Sequence, residues 1–173
     1  MKTVYLDNAA TTPLREEALD ALLPFLRGDF ANPSSPHSSG QRVRSALYKA
    51  RTRTAKALGA SPREIIFTGS GSEADNLAIF GIMDANGIER FITSAIEHHA
   101  VLHAAQTLHA RGKNITIVPV DQEGLVKKEA LHDALAGKPV ALVSIMHANN
   151  EIGTIQRIAE LSKLAHEHGA LIH

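Results

Sequence analysis

Apolar positions along this chain switch between two periods. From residue 14 to residue 26 they recur three and four apart, with Ala18, Leu19, Leu22, Leu23 and Leu26 on one stripe, and the spacing predicts an amphipathic helix. Residues 28–39 mix Pro, Ser, Asn and Gly and predict a loop. A second stripe, Val43, Leu47, Ala50, Thr54 and Ala57, predicts a helix over 41–58 that Gly59 ends. Ser61-Pro62-Arg63-Glu64 has the spacing of a capping box, but the apolar run that follows at once leaves no room for a helix, so a turn is expected.

Beyond that turn, short β-branched runs alternate strictly with helical stripes. The expected order is strand 64–68, helix 72–85, strand 90–94, helix 99–111, strand 114–120, helix 127–136, strand 140–146, helix 158–168 and strand 170–173. Such alternation predicts right-handed βαβ units and an α/β fold, a mostly parallel sheet with helices on both faces. The run from Val140 to Met146 is apolar except for Ser144, as a strand buried on both faces must be. Open parallel sheets bind ligands at the carboxyl ends of their strands. Three polar loops fall there: 68–73, 97–99 and 147–151. Together they predict one site on one edge.

Composition narrows the functional classes. With 173 residues, 44% of them hydrophobic, the chain is long enough to bury a core. Its formal net charge is zero, so no basic stripe points to nucleic acid and no polybasic segment to a membrane surface. No apolar run reaches the ~20 residues of a spanning helix, and the first residues lack a signal-peptide core; a cytoplasmic location is expected. The chain has no cysteine, hence no disulfide, thiolate metal site or thiol nucleophile.

Each polar loop admits two readings. In Gly69-Ser70-Gly71-Ser72 the glycines let a ligand approach the backbone, and the helix that follows offers free N–H groups to a phosphate. The alternative is an ordinary turn with Ser72 as helix N-cap. A dinucleotide fingerprint also fits loosely, but it should sit on a first strand and needs an acid at the end of the next; the P-loop pattern fails outright. His98 is placed to stack on a planar ligand or move a proton, or else to cap a helix. His99 and His103 have the spacing of a metal pair, but no third ligand can be named, and no metal site is expected. Asn149 and Asn150 could fix a planar polar ligand by their amides, or simply make a turn.

Several ordered motifs together resemble a known family. Tyr5-Leu6-Asp7-Asn8-Ala9-Ala10-Thr11-Thr12-Pro13, Asn32-Pro33-Ser34-Ser35 with His37, Phe67-Thr68-Gly69-Ser70-Gly71-Ser72-Glu73, Glu97-His98, and the segment from Ser144 through Asn149-Asn150-Glu151 to Thr154 are similar to those of the cysteine desulfurases. These are pyridoxal 5′-phosphate enzymes of aminotransferase class V that move sulfur from cysteine to iron–sulfur cluster assembly or tRNA thiolation. The resemblance implies that Gly71 and Ser72 bind the cofactor phosphate, that His98 stacks on the pyridine ring and shuttles protons, and that Asn150 bonds the ring's phenolic oxygen. Relatives usually carry Ala-Thr at Gly71-Ser72, which keeps the hydroxyl, and Lys at His99. The resemblance also assigns residues 1–15 to a smaller domain and 16–173 to the cofactor domain, truncated at its end. In the family the strand starting at Ala170 runs on into an aspartate for the pyridinium nitrogen, and the Schiff-base lysine, persulfide cysteine and carboxylate-binding arginine come later. Lys113 and Lys138 precede their strands, on the wrong edge of the sheet, and Lys49, Lys56, Lys127, Lys128 and Lys163 lie in helices or at their starts.

The implied function is the N-terminal part of a cysteine desulfurase that converts L-cysteine to L-alanine and an enzyme persulfide, with the isolated chain inactive. Implied partners are a complementary C-terminal polypeptide or a homodimer, and a sulfur-acceptor scaffold protein. Two other readings stand beside it: a related class V lyase of the selenocysteine lyase or kynureninase type, and a non-catalytic half-domain that binds a complementary chain.

Overall fold

The computed structural model describes residues 3–137 and 139–173; the expectation for Lys138 lies outside them. The chain divides into two compact units, Met1–Phe67 and Thr68–His173.

The first unit holds two helices, α1 (Glu16–Arg27) and α2 (Ser38–Leu58), and a single 3-10 turn, Pro62–Glu64. α2 starts three residues before the expected position 41 because His37 caps it: the ring Nδ1 accepts the Gly40 N–H at 3.3 Å. Only glycine fits position 40, since a Cβ there would lie 2.5 Å from the Ser35 carbonyl oxygen and 2.8 Å from that of Asn32. Gly59 ends the helix in the left-handed conformation, as expected. The Glu64 carboxylate accepts the Ser61 N–H at 2.7 Å and closes the expected turn. The strand expected over 64–68 does not form. Its backbone begins extended at Ile65, yet no neighbour pairs with it among the described residues, and Ile66 is 68% exposed. Extended chain becomes sheet only when its N–H and C=O groups meet a partner.

In the second unit α3 (Gly71–Ala85) leads to β1 (Arg90–Ser94), α4 (His99–Ala110), β2 (Asn114–Val118), α5 (Lys128–Leu135), β3 (Ala141–Ser144), α6 (Ile158–Glu167) and β4 (Leu171–Ile172). The four strands form a parallel sheet in the order β2-β1-β3-β4. Phe91 lies opposite both Ile115 and Leu142, and Leu142 opposite Leu171. The sheet is covered on both faces. Phe91 and Leu142 pack with Ile79, Met83, Val101 and Leu108 of α3 and α4. Ile92 and Val143 point the other way, against Leu131, Leu135, Leu161 and Leu164 of α5 and α6. Both β1 and β3 are buried along their whole length; this suits the apolar run of β3, and in β1 it buries Arg90, Thr93 and Ser94 beside Phe91 and Ile92.

β2, β3 and β4 are all shorter than the strands expected over 114–120, 140–146 and 170–173. β2 stops at Val118 because Pro119 has no N–H to give the ladder; Val120 instead bridges antiparallel to Val126. β3 stops at Ser144, and two residues on the Met146 N–H turns to the carboxylate of Glu97. The buried guanidinium of Arg90 donates to the carbonyls of Ala134, in the last turn of α5, and of Pro139, tying the start of β1 to the end of that helix. No helix among the described residues is long and apolar enough to cross a membrane.

Candidate active site

The strand order creates an opening. From β1 the chain moves to β2 on one side, and from β3 to β4 on the other. The loops that leave the carboxyl ends of β1 and β3 therefore diverge, and such a switch point is where open α/β sheets bind ligands. A cleft of about 320 Å³ lies there, lined by Glu97, His98, His99, Asn149, Asn150 and Glu151 among others.

Two ties hold its walls together. Glu97, 7% exposed, accepts the Ser94 hydroxyl at 2.5 Å and the Met146 N–H at 2.9 Å, so one carboxylate joins the ends of β1 and β3. Burial pushes the Glu97 carboxyl above the usual carboxylate value; the negative charge of Asp75 adds to the shift and the bonds to Ser94 and Met146 oppose it. The second tie is Asn149, whose amide N–H donates to the Ile96 carbonyl at 2.8 Å while its oxygen accepts the N–H groups of Glu151 and Ile152. Of the two asparagines, Asn149 builds the turn, and Asn150 is left exposed on the cleft wall.

His98 does two things at once. Its Nδ1 accepts the Ala100 N–H at 3.1 Å and so caps α4. A neutral imidazole that accepts at Nδ1 carries its proton on Nε2. That nitrogen is the one His98, an exposed residue, can offer to the cleft as a donor.

The glycine-rich loop ends in a capped helix, with Ser70 and not Ser72 as the cap. Ser70 Oγ accepts the Glu73 N–H at 3.1 Å, and the Glu73 carboxylate folds back onto the Gly69 N–H at 2.7 Å. Gly71 and Ser72 follow as the first two helical residues, both exposed, with N–H groups that have no intrahelical acceptor. A Cβ on Gly71 would meet nothing within 4 Å, so its backbone is open to a ligand. Gly71 and Ser72 are not among the residues that line the cleft with His98 and Asn150. The helix is nonetheless turned toward the sheet edge: Asp75, one turn on from Ser72, lies 3.9 Å from the ring of His173 directly after β4, and its charge is felt at Glu97.

Sequence reasoning placed Glu97 in a site loop and in a family motif but gave it no role, and it did not single out Asp75 or His173. Glu97 carries a local signal, an acidic residue three positions beyond a wholly buried strand. Asp75 and His173 are 98 positions apart and carry none. The His99 and His103 rings stack at 5.7 Å, and among the described residues no group of three or more His, Cys, Asp or Glu could hold a metal ion.

A family model, aminotransferase class-V, matches residues 4–173. The chain belongs to the class-V aminotransferases. Among curated relatives of this class-V chain, a cysteine desulfurase IscS from Dictyoglomus turgidum is 51% identical over 99% of the chain and 44% of the relative, and one from Methanosarcina thermophila is 47% identical over 99% and 43%. Among solved structures, a NifS-like protein superposes with a TM-score of 0.91 at 36% identity, covering 96% of this chain and 46% of that one; SspA, solved in complex with cysteine, gives 0.90 at 36% identity over 99% and 50%. The class-V chain thus spans less than half the length of these curated relatives, and it corresponds to their N-terminal part.

Proposed function

We propose that this chain is the cofactor-holding part of a pyridoxal 5′-phosphate-dependent cysteine desulfurase, which takes L-cysteine to L-alanine and leaves the sulfur as a persulfide on a thiol outside these residues. One observation carries the reading: the exposed His98 and Asn150 share a cleft at the switch point between β1 and β3, with an open, anion-compatible helix start on the same unit.

The residues suit the cofactor chemically. The phosphate dianion calls for backbone N–H groups and a hydroxyl at a helix start, and Gly71 and Ser72 supply them. Ser70 takes the capping role, so the Ser72 hydroxyl is not needed to cap α3. When bound, the cofactor supplies an electron sink that labilises bonds at the α-carbon of an amino acid. His98 offers a flat ring for stacking and a proton at Nε2. Asn150 offers an amide N–H to an oxyanion on the ring edge. Glu97 and Asn149 keep the two walls at fixed separation, so His98 and Asn150 need no rearrangement to act together. The finer assignments rest on this reading: residues 1–15 join a smaller domain, the whole enzyme is a cytoplasmic dimer, and its persulfide feeds iron–sulfur assembly through an acceptor protein.

The test is replacement of His98 by Ala in the complete enzyme. Loss of a positioned proton-transfer group costs about 10²–10⁴-fold in rate. Alanine release from cysteine should fall by that order in a protein that still folds, the lost α4 cap costing only about 0.5–2 kcal/mol of stability; undiminished release removes His98 from the mechanism.

A further inference from the structure

Three polar side chains from three elements converge beside the first turn of α3, and the roles described above use none of them. The His173 backbone is locked to β3: its N–H donates to the Val143 carbonyl at 2.7 Å and its carbonyl accepts the Ile145 N–H at 3.0 Å. The ring is anchored as well, with Nδ1 2.9 Å from the hydroxyl of Ser144, which is buried. The opposite nitrogen, Nε2, faces Asp75 Oδ1 at 3.9 Å, and both of these side chains are under a third exposed. Asp75 follows Ser72 by three residues, and Asn76, one further on, donates to the Ser72 carbonyl at 2.7 Å. Ser72, Asp75 and Asn76 therefore share one face of the helix. Glu97, whose carboxyl responds to the Asp75 charge, is a second acid near that face.

We propose that His173 is a positioning residue for the anion cup. Hydrogen-bonded to Ser144 through Nδ1 and facing the Asp75 carboxylate at 3.9 Å through Nε2, its ring fills the space between the start of α3 and the ends of β3 and β4 and limits how closely they approach. It thereby holds the Ser72 hydroxyl and the free N–H groups of Gly71 and Ser72 where the phosphate of a pyridoxal cofactor is received. The inference rests on the phosphate role proposed for Gly71 and Ser72. An imidazole suits the task because its two nitrogens lie on opposite edges of a rigid ring, so one side chain reaches a strand hydroxyl and a helix carboxylate together. Asparagine can replace Nδ1 but stops short of Asp75; glutamine reaches as far as Nε2.

The experiment compares pyridoxamine 5′-phosphate with pyridoxamine by titration calorimetry; neither has an aldehyde that could react with surface lysines. The proteins are the parent, S72A, H173N, H173Q and D75N, each checked by thermal melting. The parent should prefer the phosphorylated ligand, and S72A should lose much of that preference. H173N and D75N should bind the phosphorylated ligand about tenfold more weakly, as coupled neighbouring side chains do, with pyridoxamine affinity within about twofold, and H173Q should recover most of the loss. A drop that is equal for both ligands makes His173 merely structural and overturns the proposal. If S72A loses the preference while H173N, H173Q and D75N keep it, the proposal falls and the phosphate role of Ser72 stands. If the parent shows no preference, the phosphate role fails and takes the proposal with it. H173Q and D75N carry the test should H173N fail to fold.

Discussion

At the scale of single residues, the polar loops divide labour within pairs of like residues. Ser70 caps α3 while Ser72, two positions on, keeps its hydroxyl exposed. Asn149 builds the turn after β3, while Asn150 lines the cleft. Within His98 the division runs between two nitrogens of one ring. The pairing predicts opposite phenotypes for neighbouring substitutions. S70A removes a helix cap and should cost about 0.5–2 kcal/mol of stability, with affinity for a phosphorylated ligand lowered only in proportion to unfolding. S72A should melt like the parent and lose affinity for pyridoxamine 5′-phosphate. Melting curves and titrations on the two variants would refute the assignment if the effects came out reversed. Which member of each pair does which was not legible in the sequence, because both serines precede the same helix and both asparagines favour turns. Backbone geometry decides it, by aiming one side chain at an orphan N–H.

At the scale of elements, alternation and periodicity were enough to place every helix and four of the five expected strands, since each apolar run must face a core on one or both sides. β1 was read to the residue because it is buried throughout. Errors arose where pairing, not burial, sets the boundary: Glu64 ends a 3-10 turn and residues 65–68 pair with no strand among the described residues, and Pro119 cuts β2 short. Cross-element contacts were equally out of sight. Gly124 is one: at φ 79° it sits in the left-handed region, and a Cβ would fall 2.7 Å from Ile152 Cδ1 and 2.9 Å from Thr154 Oγ1. G124A should therefore be destabilised by more than the ~1 kcal/mol of a simple left-handed penalty, and a denaturant midpoint equal to the parent's would show that the neighbours can yield.

Glu97 is the other, because one buried carboxylate joins β1 to β3. Burial first, and Asp75 second, hold its carboxyl above the ordinary value. The folded state thus binds this proton more tightly than the unfolded chain does. Between the ordinary carboxyl pKa and the raised one, stability falls as pH rises, and the Glu97 contribution is greatest in acid. E97Q has no proton to release, keeps an acceptor for the Met146 N–H and can donate to Ser94. It should equal or exceed the parent in stability at neutral pH, and that advantage should shrink as pH drops through the raised pKa. E97A leaves the Met146 N–H unpaired and should lose about 1–3 kcal/mol, the loss being largest in acid. Denaturant midpoints from acid to neutral pH decide the matter: parent and E97Q curves that run parallel would show that the carboxyl does not titrate differently on folding.

At the scale of the whole molecule, the apolar surface that remains uncovered bears on what these 173 residues can do alone. In the first unit Leu22, Phe25, Leu26, Leu47 and Leu58 are all exposed, each by 40% or more of its surface. In the second, β2 and β4 are the outer strands of the sheet, with Ile117 56% and Leu171 39% exposed. Unpaired strand edges and apolar helix faces promote association. The proposed chemistry has a separate requirement. Taking sulfur from cysteine as a persulfide needs a thiolate to receive it, and the chain has no cysteine. A polypeptide of these 173 residues, supplied with pyridoxal 5′-phosphate and cysteine, should therefore form oligomers in sedimentation velocity and release no alanine above a cofactor-only control. Adding a polypeptide that corresponds to the remaining half of a full-length relative should reduce self-association and start alanine release together, because one chain would cover the exposed surfaces and bring the thiol. A monodisperse monomer that turns cysteine over, in a sample whose intact mass shows no second polypeptide, would overturn this account.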